Sequence, residues 1–75
     1  MTHYTNLSLE LADARLARGD QLILIEEMRL STLLACGLPT MRTETFLAEL
    51  LELQLKHHAY RHAVYIRLRR TNAEG

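Results

Sequence analysis

The chain has 75 residues, 48% of them apolar and 24% charged, with no formal net charge and a pI near 6.9. A chain this short makes one domain at most, and a domain of this size buries only about 60% of the surface its unfolded chain exposes. Neutrality excludes a global field drawing the protein to nucleic acid or an anionic membrane. The single Cys36 excludes an intrachain disulfide and a thiolate-built metal site, and apolar runs no longer than four residues exclude a membrane span.

Sixteen Leu, a single Phe (Phe46) and no Trp suit helices rather than sheets, so the expected fold class is all-α, within a single helical domain over residues 1–75. Residues 1–5 read as a frayed start, and Asn6 or Ser8 as the helix N-cap, because either side chain can accept a bond from an orphan backbone N–H. Apolar positions 7, 11, 14, 22, 25, 28, 33 and 36 follow at mostly three- and four-residue spacings, which predicts a first helix over about 6–36. Gly19-Asp20 is the one place where that helix could end and a third begin. A Gly inside a helix costs only about 1 kcal/mol relative to Ala, and the flanking Leu, Ala and Arg favour continuity.

The strongest punctuation is Gly37-Leu38-Pro39-Thr40. Gly37 tolerates the left-handed conformation that ends helices, and Pro39 has no N–H with which to continue one. A turn over 37–42 then joins a second helix, about 43–70, capped by Thr40 or Thr43, and residues 71–75 read as a disordered tail. The two helices would span roughly 45 Å and 40 Å, a matched antiparallel pair. The first helix is net acidic and the second carries Glu44, Glu49 and Glu52 early and Arg67, Arg69 and Arg70 late, matching acids and bases to its dipole. If Cys36 faces Thr43, opposing residue numbers sum to about 79, which sets Asp20 near His58, Asp13 near Ile66 and Arg67, and Glu10 near Arg69.

On the second helix Phe46, Leu50, Leu53, His57, Tyr60 and Val64 form a heptad stripe, the candidate protein interface. Leu47, Leu51, His58 and Tyr65 lie beside it, so the apolar surface is wider than one facing helix can cover. The hairpin is therefore expected to complete its core against another chain, as a homodimer with two-fold symmetry forming a four-helix bundle. In layout this resembles the ROP-type bundles, two helices per chain and a short turn, a likeness of architecture that no sequence motif carries.

Three constellations bear on chemistry. His58 and His62, at i,i+4, could offer two metal ligands with Asp20 as a third, while His57 belongs to the apolar stripe; the whole cluster could also sense protons. Lys56, Arg61, Arg67, Arg69 and Arg70, interleaved with Tyr60 and Tyr65, are the candidate nucleic-acid contact. The turn echoes a DNA-reading helix-turn-helix at Gly37 and Leu38, but bulky Leu33 stands where that turn needs a small residue and Thr43 where it needs an apolar anchor.

No nucleophile, base and oxyanion site converge in a two-helix chain, so neither catalytic residue nor cofactor is assigned. The function these patterns favour is a small non-enzymatic regulatory or adaptor protein of the cytoplasm. It would act through helix-mediated protein–protein interaction without a membrane, and a nucleic-acid-binding helical dimer is the second reading.

Overall fold

The computed structural model describes residues 4–74, with side chains to Thr71. Two helices, α1 (Asn6–Ala35) and α2 (Met41–Glu74), pack against each other as a hairpin, and no strand occurs among the described residues. Residues 1–3 and Gly75, parts of the expected frayed start and tail, lie outside the described residues. The helix expected to stop near residue 70 continues as α2 through Glu74, so Arg67, Arg69 and Arg70 precede its last turn instead of forming it.

Thr5 caps α1, in place of the expected Asn6 or Ser8. Its hydroxyl accepts from the Ser8 N–H at 3.3 Å, and the Ser8 hydroxyl accepts from the Thr5 N–H at 3.1 Å. This reciprocal box satisfies two backbone donors that a lone Asn6 or Ser8 cap could not. At the other end Gly37 takes φ 69°, its N–H donating to the Leu34 carbonyl at 3.2 Å and the Leu38 N–H to the Leu33 carbonyl at 2.9 Å. That pair of bonds is the Schellman closure, and it stops the helix where Gly37 and Pro39 predict. Thr40 opens α2, its carbonyl accepting from the Glu44 N–H at 2.9 Å.

Helix α1 runs unbroken through Gly19. Its contact seam is Leu9, Ala12, Leu16, Gly19, Ile23, Glu26, Leu30 and Leu33, and that of α2 is Thr43, Leu47, Leu50, Gln54, His57, Arg61, Val64 and Leu68, all buried or half-buried. Both follow the alternating three- and four-residue spacing of a heptad. The α2 seam thus passes between the two apolar stripes seen in the sequence, taking Leu50, His57 and Val64 from one and Leu47 from the other. Phe46, Leu53 and Tyr60 are left outside.

The seam is unusually polar. Among the described residues the buried apolar residues are Ala12, Leu16 and Val64, and as many polar ones, Glu26, Thr43 and Gln54, are buried beside them. Fourteen large apolar side chains are meanwhile exposed. The radius of gyration is 17.1 Å, against about 11 Å for a compact domain of this length, and the molecule is a rod of 59 × 16 × 15 Å.

Candidate protein interface

Two apolar faces flank the seam. On the first, Leu11, Ala14 and Leu22 of α1 and Leu50, Leu53 and His57 of α2 wall a trough of about 300 Å³ floored by Gly19 and Gln54. Helical spacing extends this face along α1 to Leu7 and Ile25 and along α2 to Phe46 and Tyr60, all exposed. On the opposite face Leu30, Leu34, Leu47 and Leu51 line one trough, and Ile23, Leu51 and Leu55 line the next. Leu51 belongs to both, so the second face is also continuous.

The charges of α1 divide between these faces. Arg15 and Arg18 border the first trough, and Arg29 follows them on the same side by spacing. Asp20 and Glu27 border the second, with Asp13 on their row. A count of charge along the chain hides this; only a count around the helix reveals it.

The expected interface residues separate accordingly. Val64 is fully buried inside the hairpin, Leu50 and His57 form trough walls, and Phe46, Leu53 and Tyr60 are 45%, 47% and 39% exposed on the first face. Tyr60 is held there by Tyr4, edge to face with ring centroids 6.0 Å apart.

Deeper in the seam, Gln54 is only 5% exposed. Its Nε2 donates to the Leu16 carbonyl and to Asp20 Oδ1, both at 2.8 Å, and its Oε1 lies 3.3 Å from His57 Nδ1. With the proton on His57 Nδ1, every polar atom of this buried amide is satisfied.

The inter-helix register differs from the expectation built on Cys36 facing Thr43. Asp13 meets Arg61, with Nε donating to Oδ1 at 2.6 Å, and not Ile66 or Arg67. Asp20 shares a trough with His58 but bonds Gln54. Cys36 is exposed at the cap, so the seam closes at Leu33 and Thr43, and the partner of Asp13 slides while Asp20 still borders the His58 trough. Among the described residues the ion pairs are Asp13–Arg61 and Glu26–Arg29, and none joins Glu10 to Arg69.

The basic residues of α2 do not share one surface. Arg61 is engaged by Asp13 and lies over the Tyr65 ring at 5.7 Å. Lys56, Arg67 and Arg70 are exposed on the outer side of α2 by spacing, with Arg69 on a different side. His58 and His62 are exposed, and among the described residues no three His, Cys, Asp or Glu side chains gather as a metal site would require. No helix among the described residues is long and apolar enough to cross a membrane.

The chain matches no protein-family model, no curated protein and no solved structure.

Proposed function

We propose that this chain is a small non-enzymatic regulatory or adaptor protein that acts by helix-mediated protein–protein interaction, its hairpin completing a four-helix bundle with a second copy. The observation that carries this reading is surface. The chain exposes 6116 Å², whereas a compact monomer of 8.7 kDa exposes about 4,700 Å². The excess of about 1,400 Å² exceeds the roughly 800 Å² each partner contributes to a standard interface. Its composition fits burial, because the exposed side chains are Leu, Ile, Met and Phe while Gln54 and Glu26 occupy the interior.

A cytoplasmic setting belongs to the same proposal, since the one cysteine asks for no oxidising compartment. Nucleic-acid binding has less support, because Arg61 is paired and Arg69 lies on a different side of α2 from Lys56, Arg67 and Arg70.

Light scattering across a hundredfold range of concentration, read beside far-UV circular dichroism, tests the proposal. The expected result is a helical species of at least twice 8.7 kDa at the upper concentrations. A fully helical chain that stays at 8.7 kDa throughout would end it.

A further inference from the structure

Resting on that reading of self-association, we infer that the contact is heterologous: the first face of one hairpin, the Leu11–Leu53 side, seats on the second face of another, the Leu51–Leu55 side. Each adjoining pair of hairpins still completes a four-helix bundle, but each copy uses both faces, so the chain builds a ring or an open stack of such pairs instead of a closed two-fold dimer.

Three observations converge on this arrangement. Both faces are apolar and continuous, so neither alone is the obvious docking surface. The charges at their edges are opposite: Arg15 and Arg18 border the first trough with no acid in its lining, and Asp20 and Glu27 border the second with no Lys or Arg in its linings. Where the α1 edges adjoin, a first-on-first contact would bring arginines together and a second-on-second contact would bring carboxylates together, and like charges juxtaposed at an interface cost several kcal/mol. First-on-second contact matches basic edge to acidic edge. The surface excess of about 1,400 Å² is also nearer to two faces of standard size than to one.

The test uses two variants, each with one face disabled at exposed positions and net charge unchanged. Leu11→Ser with Leu53→Ser disables the first face; Leu51→Ser with Leu55→Ser disables the second. Light scattering should find each variant monomeric alone, the equimolar mixture forming a 1:1 heterodimer that cannot grow, and the unmodified chain exceeding two copies. A dimer formed by either variant on its own would show an isologous contact and overturn the inference while leaving self-association intact. An unmodified chain that stays monomeric would remove the underlying reading first.

Circular dichroism reports whether the serine variants remain helical. If they do not, Arg15→Glu with Arg18→Glu and Glu27→Arg with Glu44→Arg make the same comparison without touching the apolar faces: all four positions are exposed, and Glu44 stands on the Leu51–Leu55 side of α2 by spacing, whereas Asp20 is held by Gln54. Either charge-reversed variant should associate at least tenfold more weakly than the unmodified chain, and mixing the two should restore association. A mixture no better than its components overturns the inference.

Discussion

The Gln54 amide lies against the backbone of Gly19. A Cβ at Gly19 would sit 2.6 Å from Gln54 Cδ and 2.9 Å from Nε2, inside any permitted contact. The glycine that looks in sequence like a helix break is the space through which α2 sends a buried side chain to the Leu16 carbonyl and Asp20.

Gly19→Ala should therefore destabilise the hairpin. Alanine favours the helix by about 1 kcal/mol. Displacing Gln54 strands a buried amide, at about 1–3 kcal/mol, and forfeits two bonds worth about 1 kcal/mol each. The net expectation is a loss of about 2–4 kcal/mol. With Gln54→Ala already in place the sign should reverse, and Gly19→Ala should then stabilise by up to about 1 kcal/mol. Urea unfolding of the four members of this cycle, at fixed chain concentration, measures the coupling; additive effects would mean that the close approach has no energetic consequence.

Gly37 answers to a different constraint. Its φ is 69° and no atom lies within 4 Å of the place a Cβ would take, so an L side chain meets backbone strain and no steric obstacle. Gly37→Ala should cost about 1–2 kcal/mol, lowering Tm by roughly 4–8 °C per kcal/mol in a domain of this size. A D-alanine at the same position prefers positive φ and should raise Tm. A loss with both enantiomers would place the cost elsewhere than in φ.

These two glycines show how far the sequence could be read. The turn was legible because Gly37 and Pro39 act through their own backbones, whatever packs around them. Gly19 was ambiguous because its reason lies 35 positions away, in Gln54. The seam was half legible: Leu50, His57 and Val64 belong to the expected stripe, but Thr43, Gln54 and Arg61 replace the Phe46, Leu53 and Tyr60 that hydrophobic pattern favours. A rule that sends apolar residues inward fails when both flanks of the seam are apolar and the small or polar residues let the helices approach. The expected register, anchored on Cys36, placed Asp20 beside His58 but missed Arg61 as the partner of Asp13.

Glu26 is the costliest member of that seam. It is 5% exposed, Arg29 reaches only its Oε1 at 3.0 Å, and its Oε2 has no partner among the described residues. A half-satisfied buried carboxylate weakens a helix pair that a similar apolar side chain would strengthen. Glu26→Met should stabilise the hairpin by about 1–3 kcal/mol, read as a higher urea midpoint with an unchanged slope. A destabilised Glu26→Met protein would mean that the carboxylate has a structural role in the assembled state.

The Asp13–Arg61 pair fixes the far end of the register more than it stabilises it. Its side chains are 53% and 38% exposed, so Asp13→Ala should cost under about 1 kcal/mol, and less at high salt. Orientation is the sharper readout. Asp13→Arg alone sets two guanidiniums against each other, and adding Arg61→Asp should restore the lost stability, because the exchanged pair occupies the same positions. Adding Arg67→Asp instead should restore little, although Arg67 is the partner that a Cys36–Thr43 register would supply. Comparable rescue by both second substitutions would show that the helices slide past one another, and the polar lock of Gln54 on Gly19 would then not hold the pair in one register.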